Sequence, residues 1–245
     1  MSSITAMCAV VPAHNEEGLI GACLEGLNAA ARALHAGRPD IALRIVVVAD
    51  SCSDDTVAIA TSFSGIEVLS STGGTVGAAR AEGIDHCLTA LRGHADVGPL
   101  GRGVWIGNTD ADSVVPPNWF VEQLRLADAG VDVMLGTVTP DFADLTEAQI
   151  VAWKAKRVPG KPNGHVHGAN LGVRASAYLE AGGFLHHDEH EDNDLVTRLR
   201  AQGVTLAASD DCDVMTSGRQ VGRTPGGYAR YLAESLVPAC VAPSF

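Results

Sequence analysis

The first half of this chain repeats one pattern, and that pattern limits the folds open to it. A short apolar run ends in a polar loop, and the residues that follow carry apolar positions at helical spacing. Cys8 to Val11 is stopped at Pro12, and after Ala13-His14-Asn15-Glu16-Glu17 the positions Leu19, Ile20, Cys23, Leu24, Leu27, Ala30, Ala31 and Leu34 make one apolar helical face. Arg44 to Val48 runs to Asp50, and Ser53-Asp54-Asp55-Thr56 opens a second helix with capping residues. Glu67 to Ser70, the turn Gly73 to Gly77 and a helix with Val76, Ala79, Ile84, Cys87, Leu88 and Leu91 inward form a third unit. After a Gly- and Pro-rich surface loop, Gly98 to Gly103, the run Val104 to Asn108 is the next strand. Alternating strands and helices predict an α/β fold, with a mostly parallel central sheet flanked by helices on both faces. Ligands of such sheets bind beyond the carboxyl ends of the strands, where the loops holding Glu16, Asp50 and Asp110 fall.

The second half is less regular. Trp119 to Ala129 reads as a helix, Val131 to Thr139 as a strand and Ala148 to Lys156 as a helix. Val158 to His167 reads as a loop, Gly168 to Arg174 as a short strand, and a helix with Leu195, Val196 and Leu199 on one face follows. Tyr228 to Val237 reads as a helix for packing or for a homodimer contact. No linker interrupts the 245 residues, so a single domain is expected, with a nucleotide-binding half over about 1–112 and an acceptor-binding half over about 113–245.

Composition removes several classes of function. A formal net charge of −12 argues against a general binder of nucleic acid or of anionic membrane. No apolar segment approaches the ~20 residues of a membrane span, and the run Ile4 to Ala13 lacks a basic leader and reads as a strand. The six cysteines include no C-x-x-C pair and read as buried, reduced thiols of a cytoplasmic protein.

Asp110-Ala111-Asp112 follows directly on the strand Val104 to Asn108. In extended backbone, residues i and i+2 share a face, so both carboxylates could address one hard divalent cation, Mg2+ or Mn2+. The same residues also read as an acidic turn before the helix that begins near Pro117.

Five segments in order resemble the family 2 glycosyltransferases of the GT-A fold. Val11-Pro12-Ala13-His14-Asn15-Glu16-Glu17 is similar to the family's V-P-A-Y-N-E-E, with His14 in place of Tyr. Ala49-Asp50-Ser51-Cys52-Ser53-Asp54-Asp55-Thr56 is similar to D-D-G-S-x-D-x-T, with Ala49 and Cys52 departing from it. Gly77-Ala78-Ala79-Arg80 resembles G-x-A-R-N, with Ala81 in place of the Asn, and Asp110-Ala111-Asp112 matches the metal motif. Gly182-Gly183-Phe184 and Glu191-Asp192-Asn193-Asp194-Leu195 resemble G-G-F and E-D-x-D-L.

The resemblance implies transfer of a sugar from a UDP- or GDP-sugar to the hydroxyl of an unidentified acceptor, with Mn2+ or Mg2+ as cofactor. It implies Asp112 as metal ligand, and Asp110 at the metal or ribose. Pro12, Glu16 and Asp50 are expected at the base and ribose with Arg80 nearby. His14 reads either as a base-stacking ring or as a solvated loop residue. Asp192 is expected as the base of an inverting transfer, with Glu191 beside it, and Arg219 and Arg223 as cations that close over the diphosphate. Of the histidines at 165, 167, 186, 187 and 190, one could complete the metal shell. The rival reading is a non-catalytic nucleotide-sugar or glycan binder that keeps the fold.

Overall fold

The computed structural model describes residues 3–91, 101–185, 189–222 and 227–237. Arg223, His186, His187, Cys240 and part of the 98–103 loop lie outside the described residues.

The expected alternation is present: β1 (Ala6–Ala13), α1 (Ile20–Gly37), β2 (Ala42–Asp50), α2 (Thr56–Thr61), β3 (Ile66–Ser71), α3 (Val76–Leu91) and β4 (Val104–Asn108). The second half adds β5 (Ser113–Val114), α4 (Trp119–Asp128), β6 (Val133–Pro140), α5 (Glu147–Lys156), β7 (Leu171–Arg174), α6 (Ala175–Glu180), α7 (Glu191–Ala201) and β8 (Leu206–Thr216). A final turn, α8 (Tyr228–Arg230), continues as a π-helical turn over Tyr231–Ser235.

These strands form one sheet in the order β3-β2-β1-β4-β7-β6-β8-β5. β1 pairs in parallel with β2 and β4, β2 with β3, and β6 with β8. β7 runs antiparallel to both β4 and β6, and β5 antiparallel to β8. The reversal of β7 matters for the site. Leu171 pairs with Asn108 at the carboxyl end of β4, so the chain enters β7 from that edge and leaves Gly168–Asn170 there.

Strand periodicity splits the core into two layers. Met7, Ala9 and Val11 pack with Leu24 and Leu27 of α1 and Trp119 and Phe120 of α4. Cys8 and Val10 face the other way, onto Ile84 and Leu88 of α3 and Leu195, Val196 and Leu199 of α7. Among the described cysteines, Cys8, Cys23, Cys87 and Cys212 are buried and unpaired, and Cys52 is half-buried. No helix of the described residues is long and apolar enough to cross a membrane.

Several expectations need correction. Pro12 does not end β1, which runs on to Ala13. Pairing with β4 stops at Val10–Asn108, so on that side the proline withholds no ladder hydrogen bond. Val76 is not inward but 36% exposed, whereas the polar Arg80 on the same helix is buried. β8 has no apolar run to announce it, because Asp210, Asp211 and Asp213 interrupt the sequence. Asp213 is tolerated there because its two oxygens accept from the hydroxyls of Thr137 and Thr139, both at 2.5 Å, and Arg157 pairs with it at 3.0 Å. Of the two roles expected for Tyr228 to Val237, packing is observed and needs no correction: Leu232 and Leu236 are fully buried, and Leu232 O accepts from Gln149 Nε2 on α5 at 2.9 Å.

Candidate active site

The carboxyl ends of β1, β2 and β4 deliver Glu16, Asp50 and Asp110 to one edge. The loops after β1 and β2 are laced together there. Thr56 Oγ1 accepts from Glu16 N at 2.7 Å, Asn15 Oδ1 from Ser53 N at 2.8 Å, and Glu17 Oε2 from Asp55 N at 3.0 Å. Burial resists ionisation of Asp54, but hydrogen bonds from Thr56 and from the Glu17 amide hold its carboxyl below the usual range. Much of the N-E-E and S-x-D-x-T pattern therefore shapes the loops. Within them Asp50 is 8% exposed, Pro12 half-buried, and His14 exposed with Nδ1–H donating to Asp50 O at 2.6 Å. Asn15, Ser51 and His190 have φ of 50°, 52° and 61°, and each lies beside an expected site residue. Left-handed backbone at non-glycine positions is strain of the kind that concentrates at functional sites.

Asp110 and Asp112 are not in extended backbone, so the same-face argument does not hold. Ser113 N donates to Asp110 O at 3.1 Å and closes a turn. The turn is tied down on two sides: Cys23 Sγ donates to Asp110 O at 3.4 Å, and Ser217 N beyond β8 donates to Asp112 O at 3.0 Å. That last link brings Arg219 to the site. Its Nη2 lies 2.5 Å from Asp112 Oδ2 and 2.8 Å from Glu16 Oε1. Glu16 is thus drawn to Asp112. Burial pushes the Asp112 carboxyl up to about 6, Asp110 and Glu16 adding repulsion that Arg219 opposes.

The second arginine lies deeper. Arg80 is 2% exposed, with Nη2 2.5 Å from Asp110 Oδ1 and Nε 3.8 Å from Glu191 Oε1. It does not face open solvent as an expected nucleotide contact would. Glu191 opens α7 and is itself buried, which raises its carboxyl, while Arg80 pulls the other way. Next to it Asp192 is half-buried; its Oδ2 accepts from Gly168 N at 2.8 Å and its Oδ1 from Asn193 N at 2.7 Å. Gly168 was not foreseen, and only its place before β7 reveals it. His167, the neighbouring residue, is half-buried with its ring 5.9 Å from that of Tyr228, and burial lowers it below the ordinary histidine value against the pull of Asp192. His165 and His190 are exposed.

No group of three or more His, Cys, Asp or Glu side chains is arranged to hold a metal by itself among the described residues. The local charge nevertheless suits a cation. Asp110, Asp112 and Glu16 act on one another, and Arg219 is the cation that bridges two of them. Two carboxylates on one turn fit a hard divalent ion whose other positions go to water and phosphate oxygens.

Carboxylates and arginines thus gather at the carboxyl ends of the parallel strands, the edge at which open α/β sheets bind their ligands. Residues 8–178 match the family described as Glycosyl transferase family 2, and the chain belongs to that family. Its fold is that of solved glycosyltransferases. It is similar to the mannosyltransferase PcManGT from Pyrobaculum calidifontis, solved with GDP-Man and Mn2+, at 19% identity and a TM-score of 0.60, over 91% of this chain and 59% of that one. It is also similar to S. aureus TarS, at 14% identity and a TM-score of 0.61, over 86% of this chain and 36% of that one. A third is glucosyl-3-phosphoglycerate synthase from M. tuberculosis, at 15% identity and a TM-score of 0.51, over 94% and 77%. The chain thus spans little more than half of the first of these and about a third of the second. No curated protein matches the chain.

Proposed function

We propose that this chain transfers a sugar from a UDP- or GDP-sugar to an acceptor hydroxyl, with Mn2+ or Mg2+ held by Asp112 and Asp110 and with Asp192 as the base of an inverting reaction. The observation that carries this reading is the meeting of the Asp110–Asp112 turn with Glu191 and Asp192 at one sheet edge, in a chain of this family. A solved relative in fold that holds GDP-Man and Mn2+ supports the donor class and the metal. When bound, the ion would act as a Lewis acid on the diphosphate leaving group, a contribution of several kcal/mol.

The chain's own residues have separable tasks. Glu16 and Asp112 hold Arg219 between them, and with a cation held at Asp112 the guanidinium would be available to the diphosphate, which Arg geometry suits. Arg223 belongs to the same closing segment in this reading. Asp50, Pro12 and His14 line the loop expected at the base and ribose. Asp192 must take the acceptor proton. A helix N-terminus stabilises carboxylate and lowers basicity, so its value as a base comes from placement. The amide of Gly168 on Oδ2 and the backbone and side-chain amides of Asn193 on Oδ1 fix its plane, and Oδ2, with one bond, keeps a lone pair for the proton. The unpaired thiols Cys8, Cys23, Cys87 and Cys212 fit a reducing compartment such as the cytoplasm.

The test is a thermal-shift comparison of UDP and GDP, each with and without Mn2+. Stabilisation by at least one nucleotide that depends on the metal is expected, and stabilisation indifferent to metal for both, or none, overturns the reading. Metal-dependent binding without turnover of any donor sugar, with or without acceptors, would favour the binder.

A further inference from the structure

We infer that Arg80 is a positioning residue that couples the donor side of the site to the acceptor side, and not a contact to the nucleotide. Naming those two sides rests on the function proposed above; the geometry does not. Residues of the Asp-x-Asp, Glu-Asp and Gly-Gly-Phe stretches converge on this side chain. Asp110 of the Asp-x-Asp turn holds Nη2 at 2.5 Å, and Glu191 of the Glu-Asp pair stands 3.8 Å from Nε. Phe184 of the Gly-Gly-Phe turn lies under the guanidinium, 5.6 Å from ring centre to Cζ. Gly77, one turn before Arg80, is where α7 comes close: a Cβ there would lie 2.4 Å from Leu185 O and 3.3 Å from Glu191 Cβ. Gly168 completes the enclosure, since a Cβ on it would lie 2.5 Å from both Nη1 and Nη2, while its amide holds Asp192.

The guanidinium is buried but not satisfied. Among the described residues Nε and Nη1 have no hydrogen-bond partner, and 3.8 Å to Glu191 is an ion pair without a hydrogen bond. Unmade hydrogen bonds on a buried cation are costly, so the side chain is under pressure to close on whichever carboxylate is free. A cation or diphosphate that engages Asp110 weakens its hold on Nη2, and Arg80 then tightens on Glu191. Tightening there draws the first turn of α7, and with it Asp192, against Gly168. Donor-side occupancy is thereby felt at the base.

The test needs no substrate. Asp110→Asn mimics loss of that carboxylate's charge, and hydrogen exchange is read at the amides of residues 194–198. In the protein with Arg80 these amides are expected to slow ~3-fold or more on Asp110→Asn, and in the Arg80→Met background to be unmoved by it. No response in the Arg80 protein, or an equal response in both backgrounds, overturns the coupling; an equal response would mean direct repulsion between Asp110 and Glu191. Should the Met variant not fold, Arg80→Lys keeps the charge without the fork and is expected to lose the response as well. A parallel arm adds UDP or GDP with Mn2+ to the unsubstituted protein, where slowing at the same amides is expected. If neither nucleotide binds, the proposed function fails, and the Asp110→Asn comparison still decides the role of Arg80.

Discussion

Asp112 works against the fold at neutral pH. Its pKa is pushed from 3.8 up to about 6, so the folded chain binds its proton more tightly than the unfolded chain does. Its contribution to stability is therefore best below the unfolded value and is lost as pH rises through that window. Asp112→Asn is accordingly expected to leave the metal-free melting temperature unchanged or higher at neutral pH while abolishing metal-dependent stabilisation by UDP or GDP. Differential scanning fluorimetry reads both, and a lower metal-free melting temperature would make Asp112 a structural residue. Arg219 is the complementary case. A guanidinium 2.5 Å from Asp112 Oδ2 competes for the oxygen a metal would use. Arg219→Met should tighten binding of Mn2+ alone by roughly tenfold, equivalent to ~1.4 kcal/mol of lost competition, in calorimetric titration. Asp110, Asp112, Glu191 and Asp192 were legible in the sequence because short motifs carry them. The two arginines that hold Asp110, Asp112 and Glu191 were legible as cations, but their partners were not. Arg80 and Asp110 are 30 positions apart, and Arg219 and Glu16 are 203 apart.

At the scale of elements, glycines decide how closely α3, α7 and the turn before β7 can meet. Gly168→Ala drives a methyl into the Arg80 guanidinium, and overpacking of this kind costs ~1–3 kcal/mol. Urea denaturation should show a loss in that range, and an unchanged midpoint would mean that the guanidinium shifts freely. β1 to β4 and their helices were readable because apolar period and polar loop alternate without interruption. β8 was not, since Asp213 is satisfied by Thr137, Thr139 and Arg157, Asp210 by the Gly160 amide and Asp211 by Arg125, all from other segments. β5 is too short for any period, and its place depends on pairing with β8. Asn170 shows the same dependence: its side chain accepts from Trp119 Nε1 and donates to Thr137 O and Cys212 O, all at 2.9 Å, tying α4, β6 and β8.

For the whole molecule, pH stability follows from groups buried between elements. Burial lowers His167, so between that lowered value and the ordinary 6.5 the unfolded chain holds more protons than the folded one. Stability is therefore lost as pH falls through this window. His167→Gln should reduce the difference in urea midpoint between neutral and mildly acidic buffer; an unchanged difference would show that His167 does not carry it.

The sequence by itself determined the layered α/β architecture and the family's motifs, because periodicity and short motifs are local properties of the chain. It also placed Glu16, Asp50 and Asp110 at one sheet edge, since parallel strands bring their carboxyl ends together. The tertiary structure decided the direction of β7, the existence of β8 and the convergence of Asp110, Glu191 and Phe184 on Arg80. Those depend on which distant groups neutralise and satisfy one another once buried, and no local pattern encodes that.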